Sequence, residues 1–115
     1  MTLGEKQRLF ARLTGLLIEW AYQNGYELTT GDGYRDPRVF GPYGEKLGYG
    51  GSKSNHKLRL AHDWNLFING EYMTKTEDYA PLGEYWESLH ELCEWGGSGT
   101  RYDGNHFSLN HQGRW

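Results

Sequence analysis

Sulfur ligands are almost missing from this chain, since Cys93 is the only cysteine among 115 residues. A single thiol excludes an internal disulfide and a thiolate zinc cage, so Cys93 is expected to be a small buried hydrophobe on a helix. Runs of basic residues are also missing, and the formal net charge is -3, so the chain lacks the footprint of a nucleic-acid binder. No apolar run exceeds Leu16-Leu17-Ile18, far below the about 20 residues that a membrane span needs. Lys6 and Arg8 stand near the N-terminus, but Glu19 and the helical spacing around it contradict a signal peptide. The expectation is a soluble product made in the cytoplasm, with no membrane partner and no oligomerisation, that is, a monomer. Repeats, linkers and low-complexity segments are absent as well.

What is present fits one folded domain spanning residues 1–115. Aromatic residues make up 16%, including five Trp and nine Tyr, which argues against disorder. Thr2 and Glu5 have capping-box spacing, and Leu9, Leu13, Leu16, Leu17 and Trp20 follow at steps of three and four. That pattern predicts an amphipathic helix whose apolar face packs in the core and which ends at Asn24-Gly25. Tyr26 to Thr30 reads as a strand, and a turn-rich stretch from Gly31 leads into an irregular Gly/Tyr segment reaching Gly51. Leu60 to Ile68 reads as a strand, Asn69-Gly70 as a hairpin turn, and Glu71 to Met73 as the returning strand. Pro81 suits the first turn of a second helix, in which Leu82, Tyr85, Trp86, Leu89 and Cys93 keep helical spacing down to Gly96-Gly97. His106 to Leu109 would be a last short strand. The order predicts a small α+β domain with a central antiparallel sheet flanked by helices.

The chemistry lies in two segments. A catalytic zinc wants three His or carboxylate ligands and leaves a fourth position for water. Five histidines are available: His56, His62, His90, His106 and His111. Taken singly, each is more often an ordinary surface or hydrogen-bonded residue than a ligand. In Ser54-Asn55-His56-Lys57-Leu58-Arg59-Leu60-Ala61-His62-Asp63, His56 and Asp63 are seven apart. On a regular strand that odd spacing puts them on opposite faces, so both reach one ion only if the segment turns or bulges. Asp63 then enters an apolar strand, a costly place for a carboxylate without a partner. A metal would be that partner; a turn cap is the plainer alternative. In the second segment, Asp103 and His106 are three apart across a Gly turn. One can bind metal while the other faces the attacking water, whose pKa a metal lowers from 15.7 towards ~7. The alternative for Asp103 is an Asx-turn.

These residues resemble a known family. Ser54 to Asp63 is similar to SxHxxGxAxD, the signature of the LAS zinc metallopeptidases, with Arg59 where the motif has Gly. That family includes D-alanyl-D-alanine carboxypeptidases of the VanY type and phage L-alanyl-D-glutamate endolysins. Trp95-Gly96-Gly97 followed by Asp103-Gly104-Asn105-His106-Phe107 resembles its WGG…DxxHF segment, and Gly33-Tyr34-Arg35 its GYR segment. The resemblance runs over roughly residues 26 to 109. It implies His56, Asp63 and His106 as Zn2+ ligands at the sheet edge and Asp103 as general base and acid. Arg35 is implied as the group steadying the oxyanion or a substrate carboxylate, with an ion pair to Asp32 or Asp36 as the alternative. Ser54 is expected to hydrogen-bond near the site, and Trp95, Tyr102 and Tyr49 to wall the groove. His62 is expected to point away, and His90 on the second helix and His111 in the tail to be solvated. The implied activity is a zinc-dependent peptidase, endolysin-like, with the peptidoglycan stem peptide as partner and no separate cell-wall-binding domain. Such an enzyme would act on the wall after release from the host cytoplasm. Cleavage at L-alanyl-D-glutamate leads, D-alanyl-D-alanine cleavage is the alternative, and a non-catalytic wall-binding module is the competing class.

Overall fold

The computed structural model describes residues 1–115. Helix α1 spans Leu3–Gln23 and opens on the capping box, with Thr2 and Glu5 each accepting from the other's backbone N–H. Its buried stripe is Phe10, Leu13, Leu17 and Ala21. Asn24 closes it, and Gly25, at φ +80, turns the chain into strand β1, Tyr26–Thr30. After a one-turn helix α2, Pro37–Phe40, and a 3-10 turn at Asn55–Leu58, strand β2 covers Ala61–Ile68. Asn69 (φ 52) and Gly70 (φ 78) form the turn to β3, Glu71–Tyr72. Two successive left-handed residues are what a two-residue hairpin turn of this hand requires.

Helix α3 spans Ala80–Leu89, followed by β4, Cys93–Trp95, and β5, His106–Leu109. All pairings are antiparallel, in the order β1-β2-β5-β4, with β3 continuing the sheet beside the far end of β2. The fold is therefore α+β with a five-stranded antiparallel sheet and helices packed on it, as the sequence predicts. Strand β4 corrects one expectation: Cys93 lies on a strand, not on the second helix, which stops at Leu89. The residue after it, His90, is extended (φ -162, ψ 151), and the Trp86 indole donates to the carbonyls of Glu94 and Ser108. Those bonds bind α3 across β4 and β5 and leave no continuation for the helix. Cys93 is buried, as expected.

The core joins the layers through aromatic edges. Phe10 meets Trp86 at 5.7 Å and 80°, and Trp86 meets Phe107 at 6.2 Å and 84°. Both are T-shaped pairs, which place a positive ring edge on a negative face. Leu17, Leu60, Leu66, Leu82 and Leu109 fill the space around them, each essentially inaccessible to water. No helix is long and apolar enough to cross a membrane.

Candidate metal centre

His56 lies in the 3-10 turn Asn55–Leu58, whose N-cap is Ser54; the Ser54 hydroxyl accepts from the His56 N–H at 3.2 Å. The turn ends at Arg59 in the left-handed region (φ 56, ψ 35), and β2 starts two residues later. The chain thus turns between His56 and Asp63, as their odd spacing demands if both are to reach one point. His106 opens β5 and pairs in register with Asp63 on β2. Directly opposed residues of an antiparallel pair carry Cβ atoms about 4.5–5.5 Å apart on the same face. The ladder therefore delivers the third group.

One Asp63 carboxylate oxygen, Oδ1, lies 3.3 Å from His56 Nε2 and 3.2 Å from His106 Nδ1. The three atoms fall within 4.8 Å of one another, so His56, Asp63 and His106 form a group able to hold a metal ion. An ion with bonds of about 2.0–2.1 Å in tetrahedral geometry sets its ligand atoms about 3.3 Å apart, which matches the two shorter edges. The outer nitrogen of His56, Nδ1, lies 2.8 Å from the Gly33 carbonyl. A carbonyl only accepts, so Nδ1 carries a proton, and Nε2, which faces Asp63 Oδ1, is the nitrogen that would give its lone pair to a bound ion. Burial would raise the Asp63 carboxyl, but the hydrogen bonds from His106 and His56, and then their charge, hold it well below the usual carboxylate range. Asp63 is therefore ionised at neutral pH, as a ligand must be. Both histidines are buried, at 2% and 5% exposure.

The group opens onto a cleft of about 470 Å³, also lined by Arg35, Lys53, Ser54, Asp103, Arg114 and Trp115. Asp103 is half exposed, with Oδ2 4.0 Å from His106 Nδ1. Partial burial, with the Asp63 charge adding to it, pushes its carboxyl above the ordinary value against the pull of His106, His56 and Arg35. Arg35 donates to Ser54 Oγ at 3.0 Å and pairs with Asp32 at 3.4 Å, while Asp36 is taken by Arg38. The Asp32 ion pair and the place in the cleft thus coexist. Ser54 connects the Arg35 guanidinium to the His56 backbone.

Other expectations fare differently. Trp95 does not wall the cleft: it is buried in the core, its indole donating to the Gly104 carbonyl at 2.7 Å. A Cβ at Gly83 or Gly97 would overlap its ring, so these glycines are what let a large ring sink inward. Tyr102 is 87% exposed and lines a smaller pocket on the other side of Asp103. Tyr49 donates to Asp32 at 2.9 Å, beside Arg35. His62 stacks on Trp64 at 4.3 Å, away from the ligand group. His90 and His111 are half-buried rather than solvated: His90 accepts from the Leu92 N–H after capping α3, and His111 lies 3.2 Å from the Lys6 ammonium.

Several residues around the site carried no sequence signal. Asn55 is fully buried and donates to the carbonyls of Leu109 and Arg114. Lys57, also buried, donates to the carbonyls of Phe40 and Glu45 at 2.7 and 2.5 Å, fastening the preceding loop to the 3-10 turn. Their partners are backbone carbonyls far along the chain, which side-chain patterns do not announce. Compared with protein-family models and with curated proteins, the chain gives no match.

Proposed function

We propose that this chain is a zinc-dependent peptidase that hydrolyses the peptidoglycan stem peptide, with the L-alanyl-D-glutamate bond as its target. The observation that carries the reading is an open, three-residue ligand group with a second carboxylate, Asp103, beside it. A structural zinc site uses four protein ligands, whereas three facing a cleft leave room for substrate and water. His, Asp and His are also the donor set that zinc hydrolases use, and the lone-pair direction of His56 suits an ion at that point. When bound, the ion would supply Lewis acidity to the scissile amide.

The roles of the remaining residues follow from their chemistry. Asp103, with a raised proton affinity and no cation paired to it, takes the proton of the attacking water and returns it to the leaving amine. Arg35, held by Ser54 and Asp32, offers fixed donors to the charge that develops on the carbonyl oxygen. Arg35, Lys53 and Arg114 make the rim of the cleft cationic, which favours a peptide rich in carboxylates. The resemblance of Ser54–Asp63 and Asp103–Phe107 to the LAS motifs supports the same reading and names the wall as substrate.

Digestion of purified peptidoglycan followed by mass spectrometry tests it. New alanine carboxyl termini matched by peptides with a free glutamate amino terminus support the proposed bond; release of terminal D-alanine would transfer the assignment to D-alanyl-D-alanine cleavage. Asp103→Asn should retain zinc and lose activity by about 10²–10⁴-fold. Undiminished hydrolysis by that variant would remove Asp103 from the proton-transfer role.

A further inference from the structure

Asp103 stands between two cavities. On one side is the cleft that holds the ligand group, whose rim carries Arg35, Lys53 and Arg114. On the other is a smaller cavity of about 180 Å³, lined by Tyr72, Thr74, Thr76, Tyr102 and Asn105. Asp103 lines both, and no other residue does. The two differ in charge: apart from Asp103, only neutral residues line the smaller cavity. Its walls are fixed from below. The Tyr79 hydroxyl donates to the Met73 carbonyl at 2.9 Å and accepts from the Leu66 N–H at 3.0 Å, which ties the 3-10 turn Thr76–Tyr79 to the sheet. Gly104 lets that turn close on the Asp103 turn, since a Cβ there would lie 2.7 Å from Thr76 Cα. The Tyr79 hydroxyl is thereby saturated, whereas the Tyr72 and Tyr102 rings stand open to solvent.

We propose that the smaller cavity is a glycan subsite, binding the muramic acid that carries the stem peptide, while the cationic cleft takes the acidic peptide beyond the cut. The inference rests on the L-alanyl-D-glutamate reading above and adds the direction in which the substrate lies. Asp103 has to reach the scissile amide, so a chain bound there runs over Asp103 and puts one half in each cavity. The two halves of this substrate are chemically unlike. On the acyl side is one alanine, amide-linked to the lactyl group of a neutral N-acetylated sugar. On the amine side is glutamate, with a free carboxylate, and the rest of the peptide. That carboxylate belongs with Arg35, Lys53 and Arg114, which offer it charged donors. The sugar follows within about two residues of the cut, or about 7 Å of extended chain, so it falls in the adjoining cavity. Exposed tyrosine rings offer flat apolar faces to its C–H surface, and the threonine hydroxyls and Asn105 amide offer partners to its hydroxyl and acetamido groups. An acidic peptide placed there would meet Asp103 with no cation lining the cavity.

Two measurements test this, the first without catalysis. N-acetylmuramyl-L-alanine amide, a neutral probe, is titrated into the ¹⁵N-labelled chain. It should shift the amides of Thr74, Thr76, Tyr102 and Gly104 and leave those of Lys53 and Arg114 in place. Shifts confined to the cationic cleft, or none at millimolar probe, overturn the proposal. The second compares kcat/KM for an N-acetylmuramyl stem peptide and for the same peptide N-acetylated but lacking the sugar. The wild type should favour the muramyl substrate by about tenfold, as for one or two net hydrogen bonds, and through KM. The double variant Tyr72→Ala with Tyr102→Ala should bring that ratio to within about twofold of one. A wild-type ratio near one, or a ratio that the double variant keeps, overturns the subsite. Hydrolysis of neither substrate by the zinc-loaded chain would defeat the peptidase reading instead, and the titration then decides the sugar site by itself.

Discussion

Exchanging Asp63 for Asn is the sharpest probe of the candidate metal centre, because it keeps the shape and removes only the charge that joins the two histidines. Asp63 Oδ1 is shared between His56 Nε2 and His106 Nδ1, so the substitution strips one ligand and leaves the cross-strand pair with His106 in register. At free zinc equal to 100 times the dissociation constant, a ligand that binds only the folded state stabilises it by about 2.7 kcal/mol. A chain of 115 residues unfolds with an entropy of about 0.24 kcal/mol/K, so that stabilisation raises Tm by about 11 °C. Loss of a ligand should cost at least the about 100-fold in affinity that loss of an outer partner can cost. At the same free zinc, Asp63→Asn would then gain no more than about 0.4 kcal/mol, under about 2 °C. The assay is thermal unfolding in chelator-buffered zinc, with the metal-free proteins run alongside. Equal zinc shifts in wild type and Asp63→Asn would refute the assignment, as would a wild type that zinc does not stabilise.

Two further outcomes follow from the backbone and the core. Arg59 holds a left-handed conformation that costs a side-chain-bearing residue about 1–2 kcal/mol, partly offset by its stack over Tyr34 at 3.9 Å, worth about 0.5–1 kcal/mol. Arg59→Ala keeps the strain and loses the stack, so it should be less stable than Arg59→Gly by about 1 kcal/mol in urea unfolding; a Gly variant no more stable than the Ala variant would contradict this. Burial pushes the Cys93 thiol up to about 12, so at pH 8 its thiolate is scarcer than that of a free cysteine by about 10³-fold. Ellman's reagent should therefore label the native protein correspondingly slowly and the urea-unfolded protein at the ordinary rate. Rapid labelling of the native protein would show that Cys93 is not held in the core.

Elements governed by neighbours in sequence were legible, and elements governed by distant partners were not. The capping box and the 3/4 spacing define α1, and Asn69-Gly70 defines the hairpin, because each signal acts within a few residues. Strand β4 was hidden because Cys93 follows Leu89 by four residues, a helical step. What decides its conformation is pairing with β5 and the Trp86 hydrogen bonds, neither visible locally. The ligand types in His56, Asp63 and His106 could be read, yet their meeting depends on the register between β2 and β5. Trp95 beside two glycines looked like a groove wall; Gly83, a dozen residues earlier, makes room for it inside. Trp115, which lines the cleft, gave no signal, since the His106 ring against it lies across a turn and the Arg101 guanidinium over it lies further back still.

The Gly31–Arg35 stretch, a turn that the sequence marked for the Arg35 side chain, also serves the site through its backbone. Gly31 N–H donates to the Asp63 carbonyl at 2.8 Å, and Asp63 N–H donates to the Asp32 carbonyl at 2.7 Å. Arg35 N–H donates to the His56 carbonyl at 3.2 Å, and the Gly33 carbonyl receives the His56 ring proton. A Cβ at Gly31 would lie 3.1 Å from the Asp63 Cβ and carbonyl oxygen, tighter than usual, so the close approach favours glycine there. Two of the three candidate ligands are thus oriented by one segment, through backbone groups that no side-chain exchange removes. Ligands held this way need little rearrangement to accept an ion, and the ordering they would otherwise lose on binding is supplied by folding itself. His106 is the ligand outside that reach. It is placed by the register between β2 and β5 instead, opposite Asp63.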